Sequence, residues 1–346
     1  MRYEFYAGSY GGRQEENIAK YSLDGQTGEI MKLYACSGAE NPSWLTLSSG
    51  GSVLYAVEEL APQGNVRAFQ AEDKGLKPLA CISAKGADPC HICLDEAGRY
   101  LFTANYSSGS LAVCWLDERG IPVHITDFFQ DTGCGSDPVR QEGPHIHFAK
   151  ISGERVFIAD LGTDKVLVCK LDAKEGRLTD MGKPLKLPAG AGPRHLEFHP
   201  NIPGIIYVAC ELGSSVAVFR EKEEEYVLEA MESTLPEGFS GENTVAAIRI
   251  RNNQLYVSNR GHDSIAVFAI REAGGLALRQ IIPTGGRIPR DFAIMGEYMV
   301  IANQGSDDIT VLRIASGRLE QTDISVPMSR PACICPVPAS LRDKIP

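Results

Sequence analysis

Short apolar runs, each cut off by Gly, Ser, Asp or Asn, recur along this chain. Five stretches superpose well, at residues 98–113, 154–168, 205–219, 255–268 and 299–312, with weaker copies at 54–69 and 5–21. Each copy is a run of β-branched and aromatic residues, a polar turn, and a second such run, which predicts strand, tight turn, strand. A Pro-led stretch precedes most copies: Pro42-Ser-Trp, Pro89-Cys-His, Pro144-His-Ile-His, Pro193-Arg-His and Pro289-Arg-Asp, with Thr244-Val-Ala in the remaining one. A charged stretch such as Gly176-Arg-Leu-Thr-Asp follows. Four short strands per unit, repeated along the chain without a long helical pattern, predict an all-β propeller.

Complete units begin near residues 42, 89, 144, 193, 244 and 289. The first 36 residues supply only three strands, and Pro331-Ala-Cys-Ile-Cys-Pro-Val resembles the Pro-led strand that they lack. The prediction is a seven-bladed propeller of four-stranded blades, one domain over residues 1–346, closed by the C-terminal strand pairing beside residues 3–10. Closure removes sheet edges that would otherwise recruit other chains. The charged run that starts at Arg220 reads as a solvated turn, and the Gly- and Asp-rich segment from Asp131 to Gln141 as a loop over one face of the disc.

Charge narrows the partners. The formal net charge of -10 argues against nucleic acid and against an anionic membrane surface, but a local arginine cluster can still admit a small anion. The opening Met1-Arg-Tyr-Glu-Phe-Tyr alternates like a strand and lacks the apolar core of a signal peptide, so a cytoplasmic location is expected. The ten cysteines are scattered, and neither Cys90/Cys93 nor Cys333/Cys335 has a second pair at zinc-site spacing; reduced thiols are expected, with no metal. His145 and His147 share a strand face but lack a third ligand. There is no P-loop and no Gly-x-Ser-x-Gly nucleophile elbow.

Comparing equivalent positions among the repeats isolates two that are not uniformly apolar. One follows the leading Pro: Ser43, Cys90, His145, Arg194, Val245, Arg290 and Ala332. The other ends the next strand: Tyr10, Glu59, Tyr106, Leu161, Glu211, Arg260 and Gln304. Inner strands of a propeller converge, so both sets are predicted to ring one mouth of the central channel. Charges there must pair or face water. They form either a polar cleft or ion pairs that merely stitch blades together.

The motifs Gly143-Pro-His-Ile-His, Gly192-Pro-Arg-His-Leu-Glu-Phe-His-Pro, Glu211-Leu-Gly-Ser-Ser-Val, Ser258-Asn-Arg-Gly-His-Asp-Ser-Ile-Ala-Val-Phe and Ile288-Pro-Arg-Asp-Phe resemble the lactonase family of seven-bladed propellers, which includes 6-phosphogluconolactonases and carboxymuconate lactonising enzymes. The likeness spans the chain. It departs at outer turns such as Ile151-Ser-Gly and Arg251-Asn-Asn, where the family's Pro-Asp-Gly is reduced or absent. It implies His145, Arg194, Glu211 and Arg260 as active residues. Arg290, His195, His147, Gln304, Tyr106 and His91 are expected to contact substrate. The implied reaction is hydrolysis of a small anionic sugar lactone, most simply 6-phosphogluconolactone. Glu211 or His145 would act as base, arginines would bind phosphate and oxyanion, no cofactor is needed, and the protein is expected as a monomer or weak oligomer. The alternatives are a cycloisomerase acting on a carboxylated muconate and a non-catalytic binding propeller.

Overall fold

A computed structural model describes residues 1–338 and consists almost entirely of strands. Seven antiparallel sheets form the blades. Blade 1 combines Pro331–Pro336 with Arg2–Ser9, Ile18–Asp24 and Ile30–Cys36. Blades 2, 3 and 4 begin with Leu45–Leu47, Pro89–Leu94 and Ile146–Ser152, and blades 5, 6 and 7 with Pro193–Phe198, Thr244–Arg251 and Pro289–Met295. Each has four strands; blade 4 adds Leu185–Lys186 beside its third. Among the described residues the one helical element is a 3-10 turn at Leu161–Thr163. No helix among them is long and apolar enough to cross a membrane.

Closure follows the predicted pairing. Phe5 lies opposite Pro336, Ala7 opposite Ile334 and Gly8 opposite Cys333. The last strand thus becomes the innermost strand of the first blade. Neighbouring blades bury apolar faces against each other, as where Phe148, Phe157, Val208 and Phe219 pack between blades 4 and 5. Tyrosines latch successive blades by donating to turn carbonyls: Tyr55 to Gly120 (2.6 Å), Tyr207 to Gly274 (2.7 Å), and Tyr298 to Gln26 across the closure (2.8 Å). The Arg220 run forms a strand ending at Lys222 and a turn in which Glu223 and Glu224 take positive φ, as expected of a tight hairpin.

One irregularity recurs and positions the site. Near the start of the innermost strand the ladder skips a residue: between Pro89 and His91, Ile146 and Phe148, Pro193 and His195, and Pro289 and Asp291. Such a bulge leaves one residue unpaired and re-aims its side chain. The bulged residues are Cys90, His147, Arg194 and Arg290. The repeat frame expected from the prolines therefore fails in blade 4. His147, not His145, occupies the Arg194 position, and Pro144-His145 belongs to the connection between blades. The amide of Leu161 donates to the carbonyl of His145 (3.0 Å), as that of Glu211 does to Gly192 (2.7 Å). This pairs His145 with the residue before the proline of other blades.

All ten cysteines are free. Cys81 lies within the outer strand Gly75–Ser83 and is exposed, because that strand turns one face to solvent.

Ile334 is buried in the closing strand against Phe5, Ala7 and Val300. Ile334→Ala is expected to destabilise by about 2–5 kcal/mol, read as a lower urea midpoint. An unchanged midpoint would mean that the closing strand contributes little.

Candidate active site

The bulges and the ends of the second strands bring together what the repeat comparison singled out. Glu59, Cys90, Tyr106, Arg140, His147, Glu211, Arg260 and Arg290 line a pocket of about 260 Å3 at one mouth of the channel. Glu211 lies at its centre, almost fully buried. Arg140 Nη2 donates to its Oε1 at 2.6 Å, while Arg260 Nη2 and Arg194 Nε lie 2.7 Å and 2.9 Å from Oε2. Burial alone would raise the pKa of this carboxyl, but the guanidiniums of Arg260, Arg194 and Arg140 outweigh it and hold the value at about 2. The two most buried arginines on Glu211, Arg194 and Arg260, feel the reverse balance, whereas Arg140 is raised. Burial, reinforced by the like charge of Arg260, lowers Arg194 to about 9, although Glu211 opposes it.

A second carboxylate faces this cluster. Glu59 accepts from the Tyr10 hydroxyl (3.0 and 2.9 Å) and from the Ser43 hydroxyl. Arg290 lies over the Tyr10 ring, 5.3 Å from its centroid. Four guanidiniums thus gather about two carboxylates, an excess of positive charge.

His145 sits at the pocket's edge. Its ring stacks on Tyr106 with centroids 4.5 Å apart, its Nδ1 lies 3.0 Å from the Tyr106 carbonyl, and its Nε2 lies 3.3 Å from Glu142 Oε2. A carbonyl can only accept, so Nδ1 carries a proton. His147 lines the pocket with its Nδ1 buried and without a hydrogen bond among the described residues. Burial and the neighbouring Arg194 charge push its pKa well below the ordinary imidazole value, so it is neutral.

Arg194, His145, His195, His91 and Gln304 do not line this pocket; Arg194 backs it through Glu211, and His145 stacks on Tyr106 at its edge. His195 Nε2 lies 3.2 Å from Arg194 Nη1, behind it. His195, Phe148, His91 and Trp44 follow the bulge position in four successive blades, and their rings meet at 4.6, 4.0 and 4.5 Å between centroids. These rings pack in one layer beside Arg194, and His91 lines a different cavity, with Trp44, Lys150 and Arg249. Gln304 contributes its backbone, donating to the carbonyl of Ile288 at 3.0 Å. The residue that the repeat comparison missed is Arg140, because it lies in a connection with no counterpart in the other blades. The only signal was that its loop was expected to cover one face of the disc. No cluster of His, Cys, Asp or Glu suited to a metal ion occurs among the described residues.

The fold and the sequence agree on kinship. Residues 4–336 match the family described as "Lactonase, 7-bladed beta-propeller". The chain belongs to this lactonase family. It is 31% identical over 347 residues to a Bacillus subtilis protein named 6-phosphogluconolactonase, covering 96% of this chain and 98% of that one. Among solved structures it is similar to a protein from Lactobacillus plantarum (TM-score 0.91, 30% identity, 98% of this chain and 100% of that one). It is also similar to the Pseudomonas aeruginosa periplasmic gluconolactonase (TM-score 0.90, 28% identity, 98% and 99%).

One buried acid under the site titrates within reach of experiment. Asp160 Oδ1 accepts from the amides of His145 (2.7 Å) and Gly162 (2.8 Å). Burial and the adjacent Asp131 carboxyl raise its pKa from 3.8 to about 7. A folded pKa above the unfolded value means that stability falls as pH rises from about 4 to about 7 and then levels. Blades 3, 6 and 7 carry Asn105, Asn259 and Asn303 at the end of the same strand. Asp160→Asn keeps the acceptor and removes the charge. Its unfolding free energy relative to the parent is expected to climb across that window and then stay flat, as measured by urea unfolding at successive pH values. A pH-independent difference would refute the buried, neutral acid.

Proposed function

We propose that this chain hydrolyses an anionic sugar lactone, and that 6-phosphogluconolactone is the substrate that suits its pocket best. The observation that carries this reading is the pocket itself, in which Arg140, Arg260 and Arg290 in the wall, with Arg194 behind Glu211, outnumber Glu211 and Glu59. An excess of guanidinium favours a dianionic phosphate and an oxyanion over a neutral sugar. The name of the Bacillus subtilis relative supports the same substrate.

Hydrolysis needs a base for water and donors for the tetrahedral oxyanion. Glu211, with a pKa of about 2 and both oxygens engaged by arginines, is a weak base at neutral pH. Its role is to anchor the arginines. The base is then His145, which stacks on Tyr106 at the pocket's edge with its Nδ1 on the Tyr106 carbonyl; Nε2 must turn from the exposed Glu142 carboxylate to take the water's proton. A nucleophilic water gives its proton to Nε2 as its oxygen bonds to the lactone carbonyl carbon, and the carbonyl oxygen becomes an oxyanion beside Arg260. The intermediate collapses by breaking the ring C–O bond, and the leaving alkoxide takes the proton from the imidazolium. The new carboxylic acid ionises and releases one proton to solvent. Cys90, Tyr106 and His147 shape the wall. This chemistry calls on no cofactor.

Proton release is the direct test. Freshly generated 6-phosphogluconolactone is expected to release protons well above the spontaneous rate, and glucono-lactone more slowly. His145→Gln is expected to lower kcat by about 10²–10⁴-fold. A parent rate no faster than buffer overturns the proposed reaction. A loss of less than about tenfold in the variant overturns the base assignment.

A further inference from the structure

Residues 131–145 form the longest connection between blades, running from the end of Pro122–Gln130 to the start of Ile146–Ser152. It is braced from inside. The Gln141 side chain is fully buried. Its Oε1 accepts from the amides of Ser136 (3.0 Å) and Asp137 (3.1 Å), and its Nε2 donates to the Leu161 carbonyl and to Asp164 Oδ1, both at 2.8 Å. Asp137 Oδ1 accepts from the amides of Val139 (2.9 Å) and Arg140 (3.0 Å). Arg140 lies between these two anchors, next to Gln141, and its amide is one of those held by Asp137, which places its side chain at the pocket.

The three guanidiniums on Glu211 are not equivalent. The Arg194 side chain is 3% exposed and Arg260 13%, but Arg140 is 39%. Arg194 is also tied to His195, and Arg260 Nη2 also donates to the Val245 carbonyl at 3.1 Å. Arg140 uses Nη2 alone, for Glu211 and for the Tyr106 hydroxyl at 3.3 Å. Its Nε and Nη1 donate to no residue among those described. It therefore combines an attached charge, donors open to the mouth, and a backbone already held in place. Preorganised donors of this kind bind an anion without first ordering a loop.

We infer that Arg140 sets the preference of this pocket for a phosphorylated ligand: it takes the phosphate at the mouth through Nε and Nη1 while Nη2 stays on Glu211. This rests on the anionic-lactone reading of the same pocket and adds which residue reads the anion. Arg194 and Arg260 remain on Glu211 when Arg140 is changed, so the carboxylate keeps two of its three partners.

The test compares 6-phosphogluconate with gluconate, which bind but are not consumed, by calorimetric titration of the parent, Arg140→Met and Arg140→Lys. Lactone kinetics are measured on the same proteins. The parent is expected to prefer 6-phosphogluconate. Arg140→Met is expected to weaken 6-phosphogluconate binding at least tenfold, leave gluconate within twofold, and raise KM for the phosphorylated lactone with kcat within about threefold. Arg140→Lys should recover part of the loss, since it keeps charge but not the planar fork. Equal weakening of both acids, or a fall in kcat at unchanged KM, overturns the assignment and makes Arg140 a positioning residue for Glu211. A parent that binds both acids alike overturns it too. Loss of phosphate selectivity in a protein that opens no lactone would sustain Arg140 and sink the hydrolysis; lactone hydrolysis with undiminished selectivity in Arg140→Met would do the reverse.

Discussion

Closure of the ring is the constraint on which everything else rests. Residues 331–336 pair with Arg2–Ser9, so the chain's two ends make one blade and every inner strand is forced toward a common axis. Convergence brings residues far apart in sequence within bonding distance. Glu211 and Arg260 come from different blades, and Arg140 from a connection 71 residues before Glu211. Without closure the inner strands would splay, and these side chains would be scattered charges on separate sheets.

Convergence alone would point alternate inner-strand residues at the axis. The bulge near the start of these strands changes that, since it lets two successive residues face inward. Arg194 reaches Glu211 at the back of the pocket, and His195 joins the ring layer beneath it. The pocket is charged and the layer apolar, with neutral imidazoles. Burial and the charges of Arg249 and Arg194 lower the pKa of His91 and His195 far below the ordinary value.

The electrostatic arrangement is costly in isolation. A carboxylate buried this deeply needs its partners, and removing one side of such a cluster typically costs about 3–5 kcal/mol. The excess of guanidinium is the opposite of what stability alone selects, since like charges lower one another's pKa, as Arg260 does for Arg194. An arrangement that opposes folding but complements an anion is what a binding site requires.

Much of this was legible in the residue pattern. Alternation and turn residues specify strands locally, and the repeat of that pattern yields seven blades, the closing strand and the two irregular ring positions that hold Arg194, Glu211, Arg260 and Arg290. These features depend on near neighbours in sequence, which a pattern records. The tertiary structure alone decided three things. It moved the blade 4 frame by two residues, so that His147 takes the bulge and His145 the connection, because a proline marks a strand start only when the bulge follows it directly. It sent His91 and His195 into the ring layer and not the pocket. It also recruited Arg140 from a segment with no repeat counterpart, by anchoring Gln141 beneath it. Each depends on where backbones converge across blades, which no single stretch of sequence encodes.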